Sequence, residues 1–199
     1  MAERRIRHSP LAHLHLAARV VVDPGDAGAR MSERPPRAQL AVRGDSGDKA
    51  FVAAFKAGLG FSPPLAANTV VTHDGLAVFW LGPSEWLLVG EVPGEQLAAA
   101  LADRHHALVD VSDSRIAIGL SGPRARDVLA KLCPLDLAAP ALAPGRCAGT
   151  ILARGHMLLH VLAEDSYDIH VHRSFADYAW RMLEDAALEY GVAVIDGGG

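Results

Sequence analysis

The chain has 199 residues, half of them hydrophobic and 21% charged, with a formal net charge of −4. That is enough apolar material for a sizeable core, which excludes a disordered chain, and the mild acidity argues against nucleic acid as a partner. No apolar run approaches the roughly 20 residues that span a bilayer. After Arg4, Arg5 and Arg7, the stretch "HSPLAHLHLAARVVV" is broken by His8, His13, His15 and Arg19, where a secretory signal needs an unbroken apolar centre. A cytoplasmic protein without a membrane partner is expected. Cys133 and Cys147 form no CxxC pair and read as reduced, partly buried thiols.

Residues 1–37 carry Pro10, Pro24, Pro35, Pro36 and the glycines Gly25 and Gly28, and read as an irregular N-terminal arm. "AQLAVR" (38–43) reads as a strand, followed by a helix from about Asp48 to Gly58 with Phe51, Phe55 and Leu59 on one face. Three strands follow at 69–73, 76–81 and 85–90, with Asp74-Gly75 as a hairpin turn and Gly82-Pro83-Ser84 as a second connection. Pro93 suits the start of a helix through "GEQLAAALADR", and "ALVDV" (107–111) is a strand. The same order then returns. "RIAIGL" (115–120) is a strand, and Ser121 or Gly122 caps a helix running to Leu132. Strands at 148–153, 157–162 and 167–172 precede a last helix, capped by Ser174 with Asp177 three residues on. Its apolar stripe reads Phe175, Ala179, Met182, Ala186 and Tyr190; Gly191 stops it, and "VAVI" (192–195) closes the chain. Strand, helix, three strands, helix, strand, spelled twice, predicts an α+β fold. It consists of two small lobes of antiparallel sheet with helices packed on them, 38–111 and 112–196.

No G-x-G-x-x-G follows a strand, and no G-x-x-x-x-G-K-[ST] phosphate loop occurs. Gly44-Asp45-Ser46-Gly47 fails the G-x-S-x-G elbow because Asp48 stands where the last glycine belongs; Asp45 or Ser46 reads instead as a helix cap. His170, His172 and Asp168 alternate onto one face of a strand, a spacing able to share a zinc, but Ile169 and Val171 mark the opposite face as the buried one. The histidine face therefore reads as a solvated outer one. His156 and His160 have helical metal-pair spacing inside a stretch that reads as a strand, and His105-His106 ends a helix. No metal site is assigned. Tryptophan and arginine are enriched at protein–protein hot spots. Trp80, Trp86, Arg115, Arg146, Arg173 and Trp180 are the candidate partner contacts, with Trp86 equally suited to a core.

The blocks "RGDSGDKAFVAAFKAGLGFSPPLAANT", "FWLGPSEWLLV", "VDVSDSRIAIGLSGPRARDVLAKLCPLDL", "LAPGRCAGTILA" and "VHRSFADYAWRML" closely resemble the gamma subunit of bacterial heterotetrameric sarcosine oxidase. The resemblance runs over about residues 8–190, with Ser84 where the family usually has aspartate. It implies a fold similar to that of the tetrahydrofolate-binding aminomethyltransferases, without the carboxylates those proteins use. It also implies an oxidoreductase complex in which alpha carries NAD, FAD and a folate domain, beta FAD and FMN, and delta a zinc. Gamma would bind no cofactor, hold no catalytic residue and pack against alpha. The complex would demethylate sarcosine to glycine, giving hydrogen peroxide and 5,10-methylenetetrahydrofolate. The alternatives are an independent folate-dependent aminomethyl-transfer protein and a small zinc protein.

Overall fold

The computed structural model describes residues 8–138 and 142–198, so Arg4, Arg5 and Arg7 lie outside the described residues. The chain forms β1 (Ala29–Glu33), β2 (Gln39–Gly44), α2 (Lys49–Leu59), β3 (Val70–His73), β4 (Leu76–Gly82), β5 (Glu85–Gly90), α3 (Gly94–Leu101) and β6 (His106–Asp110), after a four-residue helix α1 (Leu16–Arg19). There follow β7 (Arg115–Ser121), α4 (Ala125–Leu132), β8 (Cys147–Leu152), β9 (Gly155–Ala163), β10 (Ser166–His172), α5 (Ala176–Ala187) and β11 (Val192–Val194).

Two sheets result, ordered β3-β4-β5-β2-β6 and β8-β9-β10-β7-β1-β11. The second repeats the first strand for strand, except that β1 is inserted between β7 and the closing strand. It pairs antiparallel with β7 and parallel with β11. The arm read as irregular thus supplies an inner strand. Pro24, Gly25, Gly28, Pro35 and Pro36 flank it, but "ARMSE" between them alternates, and Ala29 and Met31 enter the core.

Each sheet buries one face under its own helices. Phe51 and Phe55 of α2 and Leu97 and Leu101 of α3 cover Val42, Val78, Trp86 and Leu88. On the second sheet, Val128 and Leu129 of α4 and Ala179, Trp180 and Leu183 of α5 cover Ile118, Leu159, Tyr167 and Ile169. The other faces meet each other through Phe79, Leu87 and Val89 against Cys147 and Leu158. The order of layers is helices, sheet, sheet, helices. "LAVFWL" is apolar throughout because β4 is covered on both sides. At one corner the sheets are joined by backbone bonds, Val70 N–H to the Gly145 carbonyl at 2.9 Å and Cys147 N–H to Asn68 at 3.0 Å.

Local signals hold at most termini. Asp74 and Gly75 have φ of 43° and 76°, both in the left-handed region that a two-residue hairpin turn with this twist requires. Asp48, rather than Asp45 or Ser46, caps α2, its Oδ1 accepting from Ala50 N–H at 2.8 Å, while Asp45 folds its own loop onto Gly47 N–H. The last two helices depart from expectation. α4 begins at Ala125, and neither Ser121 nor Gly122 caps it; Gly122, at φ 111°, lets its strand end pass the Gly28 carbonyl. Ser174 lies in a 3-10 turn (Arg173–Phe175), so α5 starts later and its buried stripe shifts to Ala176, Ala179, Trp180, Leu183 and Ala187, leaving Phe175 exposed. Asp177 pairs with Arg181 and His13 instead of closing a capping box. α3 ends at Leu101, and His106 opens β6 rather than closing a helix.

Candidate functional site

The strand period of two decides which side chains enter the space between the sheets. Along β10 and β9, odd positions such as Ile169 and Leu159 go to the helix side, so Asp168, His170 and His160 face the opposing sheet. β7 sends Arg115 and Ala117 the same way, since Ile118 and Leu120 lie in the helix-side core. From the first sheet come Gln39, Ala77, Phe79 and Val89; the segment after β1 brings Arg34 to Arg37 across one side. Together they enclose a cavity of about 610 Å³, the size of a small-molecule site.

His170 therefore does not stand on a solvated outer face. The first sheet covers it to 4% exposure, and His160 to 7%. Both rings meet Phe79 edge-on, with centroids 5.2 Å and 5.0 Å away. Burial drives the His170 pKa down to about 4, against the opposing pull of Asp168, and lowers that of His160 for the same reasons. At neutral pH both imidazoles are uncharged. Asp168 accepts from Arg34 Nε at 2.7 Å, which commits it to an ion pair. His172, two positions on, is exposed at the strand end. Among the described residues no group of three ligand-type side chains is arranged to hold a metal. Cys147 is buried under the same interface, and desolvation pushes its thiol up to about 11, leaving it protonated and unreactive at neutral pH. The site thus sets a half-buried carboxylate, paired with arginine, beside two neutral imidazoles.

Of the six candidate partner contacts, Trp86 and Trp180 are fully buried within the chain. Trp86 lies 5.9 Å and 5.2 Å, ring to ring, from Phe51 and Phe55 and donates Nε1–H to the Pro64 carbonyl at 2.8 Å. Trp180 fills the centre of the second helix–sheet core. Both are packing residues, because the strand or helix face carrying them turns inward. Trp80, half-buried, stands opposite Trp86 across the β4–β5 pair. Arg146 is half-buried at the corner joining the sheets, Arg173 donates to the His8 carbonyl, and Arg115 lines the cavity. The six do not form one patch.

Arg34, Gln39, Phe79 and His160 were not legible as site residues. The alternation of β9 and β10 was available as a signal for His160 and His170. That a second sheet lies over that face is a tertiary fact, and Arg34 arrives from an arm whose strand the composition hid.

Comparison with known proteins places this geometry in a lineage. The model of the sarcosine oxidase gamma subunit family matches residues 43–189. The sarcosine oxidase subunit gamma of Corynebacterium sp. (strain U-96) is 33% identical over 197 residues, 96% of this chain and 95% of that one. In the solved heterotetrameric sarcosine oxidase from Corynebacterium sp. U-96 in complex with pyrrole 2-carboxylate, one chain superposes with a TM-score of 0.83 at 33% identity, covering 95% of this chain and 98% of that one. The glycine cleavage system aminomethyltransferase T from Bartonella henselae shares the fold, with a TM-score of 0.63 at 16% identity over 96% of this chain and 60% of that one. Matched over most of its length by the family model and nearly end to end by a relative one-third identical, the chain belongs to the sarcosine oxidase gamma subunit family.

Proposed function

We propose that this chain is the gamma subunit of a heterotetrameric enzyme that oxidatively demethylates sarcosine, and that its role there is assembly rather than chemistry. The reaction consumes sarcosine, dioxygen and tetrahydrofolate and yields glycine, hydrogen peroxide and 5,10-methylenetetrahydrofolate. The observation that carries this reading is correspondence over whole chains, 95% of this one and 98% of a chain in a solved heterotetrameric sarcosine oxidase. Whole-chain correspondence favours a subunit with the same place in the same kind of assembly. The site chemistry is consistent with it: the buried histidines are neutral and the half-buried carboxylate is paired.

In this reading FAD, FMN, NAD, tetrahydrofolate and zinc belong to the alpha, beta and delta subunits, and alpha is the main neighbour. Trp80 and Arg146, both half-buried, are the contacts retained from the sequence, while Arg115 and Arg173 serve the interior of this chain. The test is isolation of the tagged chain from its host grown on sarcosine. Three further chains, a yellow flavin spectrum and sarcosine-dependent peroxide formation are expected in the eluate. A chain recovered alone and colourless contradicts the proposal.

A further inference from the structure

The charges around the cavity between the sheets do not balance. Arg34, Arg37, Arg115 and Arg173 line it against three carboxylates, Glu33, Asp113 and Asp168. Arg34 is met by Asp168 and Arg173 by the His8 carbonyl; Glu33 accepts from the Ser9 hydroxyl, and Arg37 reaches the Gly75 carbonyl at 3.4 Å. Arg115 stands apart. Its guanidinium has no hydrogen bond and no ion pair to the described residues, although burial lowers its pKa against the weaker pull of Glu85. A half-buried guanidinium with no direct ion pair bears a desolvation cost that an anion of matching shape would offset.

Two neutral groups that line the cavity from opposite sheets are also incompletely bonded. His170, 4% exposed, has an unpartnered Nε2, and Gln39, 6% exposed, has an unpartnered Oε1. Gln39 Nε2 donates to the Arg115 carbonyl at 2.8 Å, which ties this amide to the strand end that carries the arginine. The lining also holds the apolar Ala77, Phe79, Val89, Ile116 and Leu162, alongside the polar Ser112, Asp113 and His160. Between about 300 and 1,000 Å³, a mostly apolar cavity with a few convergent polar groups is the usual form of a small-molecule site.

We propose that this cavity binds a small organic carboxylate, its anionic end on the Arg115 fork and its apolar body against Phe79 and Val89. The planar guanidinium matches a carboxylate through two parallel N–H···O bonds. One arginine in surplus suits a monoanion rather than a doubly charged phosphate, and the neutral His170 and Gln39 serve a polar substituent rather than a second charge. Every group named in the site belongs to this chain.

Hydrogen–deuterium exchange on the full-length chain, together with whatever subunits co-purify, tests this in peptides spanning residues 33–39 and 111–117. Benzoate is the probe, with benzamide as its neutral isostere and inorganic phosphate as the competing anion. Saturable slowing of exchange in those peptides by millimolar benzoate, and by neither control, is expected. Arg115→Met should then raise the apparent Kd about 10- to 100-fold, the loss of a charge-assisted contact. Arg115→Lys, which keeps the charge and loses the fork, should fall between, and it decides the matter if the methionine variant does not fold. The proposal is overturned by no protection with benzoate, by equal protection with benzamide, by protection with phosphate in benzoate's place, or by unchanged benzoate affinity in the substituted chain.

Discussion

Trp86 shows how much of the stability rests on single side chains. Its ring is wholly enclosed by Phe51 and Phe55 and its one polar atom is bonded, so Trp86→Ala leaves a large cavity under α2. A loss of about 3–5 kcal/mol is expected in denaturant unfolding. Had Trp86 been a surface anchor, the substitution would leave the free chain's stability intact. His170 behaves differently. Its folded pKa of about 4 lies below the ordinary histidine value, so between roughly pH 6.5 and 4 the unfolded chain takes up a proton that the folded chain refuses. Stability is full above that window and falls as pH drops through it, by up to about 1.4 kcal/mol per pH unit. His160, shifted the same way, adds to the slope. Unfolding curves at pH 7 and pH 5 should show the loss, and His170→Gln should flatten it; an equal slope in the variant would contradict the assignment. At this scale the sequence was ambiguous for a physical reason. An apolar or imidazole side chain on one face of a strand looks the same whether that face meets solvent, helices or another sheet.

The elements were more legible, because strand and helix periods and turn residues are local properties. Asp74-Gly75 gave its hairpin, Asp48 ended up capping the helix predicted to start near it, and the repeated order of strands and helices became two sheets with the same strand order. What escaped was β1, a short strand among prolines and glycines that completes the second sheet from far away in the chain. Met31 tests whether it is integral: fully buried in the second core, its replacement by alanine should cost about 2–5 kcal/mol, measured as a lowered denaturation midpoint. A loose arm would show no change. The hairpin of β4 and β5 has an equally specific point of failure. Gly90 sits at φ 123°, and a Cβ there would lie 2.0 Å from the Gly75 carbonyl oxygen. Gly90→Ala should therefore cost at least about 1–3 kcal/mol of backbone strain before any clash is relieved. Wild-type thermal stability in that variant would mean the two hairpin ends are less close than described.

At the scale of the molecule, four layers place the buried polar side chains of Gln39, His160 and His170 between the two sheets. The layer facing outward on either side is helical, with α2 and α3 on one sheet and α4 and α5 on the other. No helix among the described residues is long and apolar enough to cross a membrane. The resemblance read from blocks such as "LGPSEWLL" led to the family that the whole-chain comparison shows, although several of those residues are core: Trp86 and Leu87 are conspicuous in the sequence and invisible on the surface. Which surface meets another subunit is not encoded in any local pattern, because an interface is a property of two chains. The proposed role, holding a flavoenzyme together without performing its chemistry, is tested by sarcosine-dependent oxygen uptake of the alpha, beta and delta chains co-expressed with and without this one. Loss of both the assembly and the activity when it is omitted, with no turnover by this chain alone, is the predicted result. Full activity of the three-chain preparation, or turnover by this chain in isolation, would contradict it.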